Sequence, residues 1–511
     1  MPKNIILFMT DQHRSDYVGY MPGGKALTPN IDRIASHAHF TRCTTSNPIC
    51  TPARTSLITG RYSRQIGTLT MSGDFFPQIP TFMQALQKEG YKTYGIGKYH
   101  YMHCGGFNAP RGGGFDHVAM LEEMKGFGYD FVWETAGKQT MVSNYCFYGE
   151  YLNRRGLLNK VRDFVEQSGG VNGDTPDHNY DKAQAWPFDE EDYIDVVTGR
   201  VAREQLALHP ADKPFYMYVS FCGPHKTYDA PQRYLDMFPL EEEDDFVLPE
   251  GQKLTEEEKM TLYRQRRSYK AMIRLIDDQI GETLLLLEKR DMLKDTLVLF
   301  TSDHGDMQGD HYRIQKGVPW DQASNVPLAA WMPGAPRIGA NAHPVQLIDV
   351  AATILDYAGL EPTAALSRAY PAYNDRIPCR SFLPVLTGAV EQIRDWTYCE
   401  SDFTEEVHPG TDFNEVLRKR GANGRRGNAW RMVVTEKTKY VKYLSYEKPG
   451  TAYEEFYDLE QDPEEGVNRI GDPAYQAQIA EARSRMEFVI DQYPPAQKTW
   501  TTKYADHRMY Y

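Results

Sequence analysis

The stretch Pro48-Ile49-Cys50-Thr51-Pro52-Ala53-Arg54-Thr55-Ser56-Leu57-Ile58-Thr59-Gly60-Arg61 holds the most reactive combination of residues in the chain. Pro52 is tolerated in a first helical turn, and the residues after it are helix-compatible up to Gly60, so Cys50 is expected at a helix N-terminus. There a nucleophile or an anion gains from the positive end of the helix dipole and from free N–H groups. Arg54, one turn on, can reach back to the same point. Taken alone, Cys50 also fits a buried cysteine packing as a small hydrophobe, or an ordinary low-pKa thiol at a helix end.

Other polar residues with chemical capability each follow an apolar run rich in β-formers. Asn4 to Met9 leads to Asp11, and Lys92 to Gly97 leads to Lys98 and His100. Phe215 to Phe221 leads to His225, and Thr296 to Thr301 leads to Asp303 and His304. Near-continuous apolar strands separated by helical segments predict a mostly parallel sheet covered on both faces. In such sheets a ligand sits beyond the carboxyl ends of the strands, where these residues fall.

The positioning helices are readable too. Tyr269, Met272, Ile273, Ile276, Ile280 and Leu284 recur at three- and four-residue spacing, as an amphipathic crossover helix before the strand ending at Asp303 should. Thr81 to Glu89 reads as another helix, closed by Gly90. Between Gly105 and Gln184 the pattern fades into Gly- and Tyr-rich sequence, expected as long loops with short strands. The acidic runs Glu241 to Asp245 and Glu256 to Glu258 read as solvated faces.

After roughly residue 385 the texture changes. Trp430 to Thr435 and Lys439 to Leu444 have hairpin spacing, Glu455 to Leu459 reads as a further strand, and a helix is expected from about Pro473 to Ile490. The expected organisation is an α/β domain over 1–385 and a smaller α+β domain over 386–511. The basic stretch Arg418-Lys419-Arg420 to Arg425-Arg426 in the second reads first as a solvated surface loop. It would also serve to hold a second anionic group of a substrate.

With 511 residues the chain exceeds what one hydrophobic core usually serves. It has 41% hydrophobic and 25% charged residues, as soluble globular proteins do, and no apolar run long enough to span a bilayer. A net charge of −13 disfavours nonspecific binding to nucleic acid or anionic membrane, so an anionic substrate needs a local basic pocket. Met1 to Met9 runs straight into Asp11 without a small-residue cleavage site, and reads as a first buried strand rather than a secretory signal. The seven cysteines (Cys43, Cys50, Cys104, Cys146, Cys222, Cys379 and Cys399) are scattered and form no CxxC pair. This argues against a disulfide framework or a structural zinc site and favours a reducing, cytoplasmic compartment.

Cys50-Thr51-Pro52-Ala53-Arg54, with the following Leu-Ile-Thr-Gly-Arg-Tyr, resembles the sulfatase signature Cys-X-Pro-X-Arg, with Ala53 where Ser is commoner. Further elements are similar to those of the same family in the same order. They are Thr10-Asp11-Gln12, Gly97-Lys98-Tyr99-His100, Gly223-Pro224-His225, Thr301-Ser302-Asp303-His304-Gly305 with Lys316, and Phe456-Tyr457-Asp458-Leu459 before Asp462-Pro463. The resemblance implies an alkaline-phosphatase-like fold, a large mostly parallel (mixed) sheet sandwiched by helices.

The resemblance also implies a sulfuric ester hydrolase, acting on a small-molecule or saccharide sulfate ester. Its Cys50 would be oxidised to formylglycine by a formylglycine-generating or anaerobic sulfatase-maturing enzyme. Asp11, Gln12, Asp303, His304 and the modified Cys50 would hold one divalent metal. The oxygen ligands suit Ca²⁺, while His304, where Asn is often found, leaves Mn²⁺ or Mg²⁺ open. One hydroxyl of the hydrated formylglycine would attack sulfur, the alcohol leaving with a proton from His225 or Lys316. His100 would take the proton of the second hydroxyl to expel sulfate, Arg54 would hold the diol, and Lys98 and Lys316 would neutralise the sulfate oxygens.

A phosphonate monoester or phosphodiester hydrolase of the same superfamily is the nearest alternative, and Lys98-X-His100 favours sulfate over it. A two-metal phosphomutase or phosphatase would need more Asp and His ligands at strand ends. A non-catalytic carbohydrate binder leaves the nucleophile unexplained. Lone lysines are mostly surface residues, and His13, His37, His103, His311 and His343 read as ordinary core or surface hydrogen-bonders; Asp303 by itself could cap a helix.

Overall fold

A computed structural model describes residues 3–69, 71, 79–101, 111–168, 183–240, 246–249, 251–367, 376–402, 429–444 and 452–496. Cys104, His103, the acidic run 241–245 and the basic stretch 418–426 lie outside the described residues.

The strands are β1 (Asn4–Asp11), β2 (Ala38–Phe40), β3 (Cys43–Thr44), β4 (Lys92–Gly97), β5 (Phe131–Glu134), β6 (Phe215–Pro224) and β7 (Thr296–Ser302). They continue with β8 (Leu328–Trp331), β9 (Gly339–Asn341), β10 (Val345–Gln346), β11 (Trp396–Asp402), β12 (Ala429–Thr435), β13 (Thr438–Leu444) and β14 (Ala452–Asp458). Eight form one sheet in the order β5-β4-β6-β1-β7-β8-β2-β9. From β5 to β7 every pairing is parallel, and β8 runs antiparallel to both β7 and β2.

Alternation along the central strands explains their unbroken apolar runs. Ile5, Leu7 and Met9 of β1, with Leu297 and Leu299 of β7, join one core; Ile6 and Phe8, with Val298 and Phe300, join the other. Each such side chain, fully withdrawn from water, contributes about 1.5–3 kcal/mol, so both faces of these strands are mainly apolar. The second face is covered by the helices Ile194–Leu208 and Glu256–Lys289. The latter contains the expected crossover pattern and opens on a capping box between Thr255 and Glu258. The first face is covered by Cys50–Thr59, Phe82–Lys88 and Asp349–Tyr357.

The region 105–184 differs from expectation. The regular structure of its described part is mainly helical, with Leu121–Lys125, Phe147–Arg154 and Leu158–Gln167 around the single strand β5. Leu158, Val161, Arg162 and Val165 are buried along one side of the last of these, a helical period that the surrounding glycines and tyrosines obscure.

The C-terminal strands form an antiparallel sheet in the order β11-β12-β13-β14, followed by the helix Gln476–Gln492. Tyr398, Val433, Phe456 and Ile479 from this part share one core with Leu347 and Ile354 of the large sheet's flank. Residue 385 falls inside the short helix Leu383–Leu386, shortly before β11.

Candidate active site

Parallel β4, β6, β1 and β7 end at one edge, and each delivers a polar residue there. Asp11 closes β1, Lys98 and His100 follow β4, His225 follows β6, and Asp303 and His304 follow β7. Gly97, at φ +100°, allows the close packing of two of these ends, since a Cβ there would lie 1.9 Å from the Ser220 carbonyl oxygen. Gln12 and His100 hold left-handed backbone conformations at φ 67° and 54°, strain of the kind that collects at functional sites.

The helix Cys50–Thr59 begins at Cys50 and ends at Gly60, which is left-handed at φ 64°. Its start brings Cys50 Sγ 2.9 Å from Lys316 Nζ, 3.1 Å from His304 Nε2 and 3.7 Å from Asp11 Oδ1. Burial pushes the Cys50 thiol up and Asp11 adds to this, but Lys316, Lys98 and His304 outweigh both and hold it down to about 6. Asp11 shows the same contest. Burial raises it, yet Lys98, His225, Arg54 and Lys316 hold it well below the usual carboxylate range. Lys98 Nζ is 2.6 Å from Asp11 Oδ2.

Arg54 lies behind the cluster, close enough to Cys50 for their charges to interact. Its hydrogen bonds among the described residues run to Asp303 Oδ2 (2.8 Å), Asp11 Oδ2 (3.1 Å), the Lys98 carbonyl (2.6 Å), Tyr218 Oη (3.1 Å) and Ser220 Oγ (2.8 Å), and not to Cys50. It therefore ties two carboxylates together from behind and fixes which of their oxygens face Cys50. Ser220, a polar residue at the carboxyl end of β6, was legible as a strand-end position. Tyr218 was not, because it shares its face with core residues.

Asp11, Cys50, Asp303 and His304 each bring one donor atom into a buried set within 4.8 Å of one another. His304 Nδ1 lies 2.9 Å from the Gly305 carbonyl, which can only accept, so Nδ1 carries a proton and Nε2 is the nitrogen that faces Cys50. Burial, the largest influence, opposes a charged His304, but Asp303 and Cys50 together raise the group. Gln12 Nε2 donates to Asp306 Oδ2 at 2.5 Å, and Gln12 Oε1 is buried with no hydrogen-bond partner. Two carboxylates and an imidazole gathered with Cys50, next to a residue whose buried amide oxygen has no hydrogen-bond partner, fit a divalent cation.

His100 and His225 flank the cluster. Burial, then Lys98, keeps His100 well below the ordinary histidine range, and its Nδ1 is buried without a partner. Burial, then Lys316, does the same to His225, whose Nδ1 donates to the Lys226 carbonyl at 2.7 Å. His13, set aside on sequence grounds, bonds to the Tyr17 carbonyl and Thr10 Oγ1 as a core residue does.

The sulfatase family model matches residues 3–360. An arylsulfatase of Clostridium perfringens is 26% identical over 507 residues, 94% of this chain and 92% of that protein. An N-acetylglucosamine-6-O-sulfatase of Bacteroides thetaiotaomicron is 26% identical, over 77% of this chain and 72% of that protein. The solved phosphonate monoester hydrolase of Agrobacterium radiobacter shares the fold with a TM-score of 0.73 at 22% identity, covering 96% of each chain. The matched span contains every strand of the large sheet and every residue gathered around Cys50, and on that ground the chain belongs to the sulfatase family of sulfuric ester hydrolases.

Proposed function

We propose that the protein hydrolyses a sulfate monoester of a small molecule or saccharide at position 50, after a maturing enzyme has oxidised Cys50 to formylglycine. One divalent cation, Ca²⁺ or alternatively Mn²⁺ or Mg²⁺, is held by Asp11, Gln12, Asp303 and His304. The observation that carries this reading is the convergence of Lys316, His304 and Asp11 on the Cys50 side chain at a buried helix start. When bound, the cation supplies positive charge at the sulfate oxygens and at the side chain of residue 50.

The chain's own residues divide the remaining work. Lys98 and Lys316 place fixed positive charge where a sulfate ester carries its negative oxygens. His100, kept neutral by burial and by Lys98, is free to accept the proton of a hydroxyl at position 50. His225 is a poor acid, because its Nδ1 proton is engaged by the Lys226 carbonyl and the neutral ring has a bare Nε2. Lys316 is therefore the donor to the departing alcohol.

The test is peptide mass spectrometry of protein made with a maturation system, together with rates on an aryl sulfate and an aryl phosphonate monoester. The Cys50 peptide is expected as the aldehyde or its hydrate, with Cys50→Ala folded and inactive. Full activity with an unmodified thiol would overturn the nucleophile, and faster phosphonate turnover would move the protein to the neighbouring branch of the superfamily.

A further inference from the structure

Asp306 lies just beyond the proposed ligands Asp303 and His304. It is fully buried, and among the described residues no cation pairs with it. A buried carboxylate is costly unless its oxygens are satisfied. Here neutral donors satisfy both. Oδ2 accepts from Gln12 Nε2 (2.5 Å), Gln308 Nε2 (2.8 Å) and Tyr228 Oη (3.1 Å), and Oδ1 accepts from the backbone N–H of Gln308 (3.1 Å) and Gln315 (2.8 Å). Tyr228 comes from the loop that carries His225, and Gln315 directly precedes Lys316. One carboxylate therefore ties the end of β1 to the two loops opposite it.

The consequence for Gln12 is specific. An amide side chain can present either its oxygen or its nitrogen to a neighbour, and the two ends have the same shape. An ionised carboxylate accepts only, so Asp306 takes the nitrogen end. The oxygen end is thereby turned the other way, where it is buried without a donor. The Gln12 backbone is held separately, by Tyr269 Oη on its carbonyl (2.5 Å) and by its own N–H on Asp303 Oδ1 (3.0 Å), so the side-chain torsion is left for Asp306 to settle.

We propose that Asp306 is a positioning residue that fixes the Gln12 amide with its oxygen toward the cation site. This rests on the cation reading above. Asp306→Asn keeps the shape, but the backbone N–H groups of Gln308 and Gln315 claim its single oxygen, so it offers Gln12 an N–H₂ and turns the Gln12 nitrogen toward the cation. The reciprocal pair Gln12→Glu with Asp306→Asn restores the match, because the carboxylate at position 12 accepts from Asn and still presents an oxygen.

The experiment is calorimetric titration of chelator-stripped protein with Ca²⁺ and with Mn²⁺. Affinity is expected to fall about 10- to 100-fold in D306N, as when the outer partner of a metal ligand is lost, and to return to within a few-fold of wild type in the pair. Wild-type binding with D306N unchanged would overturn the positioning role and leave the cation site standing. A stripped wild type that binds neither ion would overturn the cation reading and this inference with it. If D306N does not fold, the pair alone decides: a folded, ion-binding pair supports the inference, and a pair that folds without binding, or fails to fold, refutes it.

Discussion

Lys316→Ala separates proton donation from charge in the proposed mechanism. Lys316 Nζ is 2.9 Å from Cys50 Sγ and only half-buried, so its loss leaves a water-accessible gap rather than a collapsed site. Two contributions vanish together. A charge-assisted hydrogen bond to a sulfate oxygen is worth about 1.5–3 kcal/mol, or roughly 10- to 100-fold in rate. Donation of a proton to a departing alkoxide is worth about 10²–10⁴-fold. A 4-nitrophenolate departs without a proton and loses only the first; a simple alkyl sulfate loses both.

The expected kcat/KM loss for K316A is therefore about 10- to 100-fold on 4-nitrophenyl sulfate and at least about 100-fold greater on an alkyl sulfate, measured by sulfate release with matured enzyme. His225→Ala is expected to slow both substrates by similar factors. Equal losses on both substrates in K316A, with the dependence on leaving group appearing in H225A instead, would refute the reasoning and make His225 the acid.

Asp11→Asn and Asp303→Asn should lower cation affinity and rate together, and activity that survives exhaustive chelation with no metal by elemental analysis would exclude the cation. Lys98→Ala should harm sulfate hydrolysis more than any phosphonate hydrolysis. The third non-bridging oxygen of a sulfate can accept from Lys98, at roughly 1–3 kcal/mol per bond, whereas the carbon of a phosphonate cannot; equal losses would refute this. Burial pushes Glu134, beside the site, up to about 8 from an ordinary 4.5, against the backbone N–H groups of Tyr99 and Ala136. The folded state thus holds a proton that the unfolded state releases, so this contribution to stability is full below pH 4.5 and is lost as pH rises through about 8. Denaturant titrations should show a shallower fall over that window in Glu134→Gln, and identical slopes would count against the shift.

How much of this was legible depended on whether chain direction or side-chain partnership decided it. The start and the end of the Cys50 helix follow from Pro52 and Gly60. The arrival of Asp11, Lys98, His225 and Asp303 at one edge follows from apolar strands that run parallel. The far end of the sheet was not read, because β2, β8 and β9 are too short to show a period. The helix Phe147–Arg154 escaped because its N-terminal cap is the Cys146 thiol, accepting from the Gly149 N–H, rather than a Ser, Thr, Asp or Asn that marks such positions. The spacing of Arg54 points it toward the start of its helix, but its pairing with two carboxylates from distant strands, at 2.8 and 3.1 Å, has no mark in the sequence. Only their meeting in space reveals that.

Charge explains why so many partners are needed. The chain as a whole is acidic, with a net charge of −13, so long-range attraction does not bring a sulfate ester to it. The region around Cys50 holds three cations, Arg54, Lys98 and Lys316, and three carboxylates, Asp11 and Asp303 paired with cations and Asp306 bound by neutral donors, while the two flanking histidines are held neutral by burial and by those lysines. The protein's own charges are thus close to balance, which lets them stay buried without prohibitive desolvation. The charge of Arg54 is paired with two carboxylates and that of Lys98 with one, and of the three only Lys316 stands clear of a carboxylate among the described residues. Balanced fixed charge of this kind orients an anion but attracts it weakly. On the proposed reading, the surplus that favours a sulfate ester over water comes with the cation, and binding of inorganic sulfate should follow its occupancy.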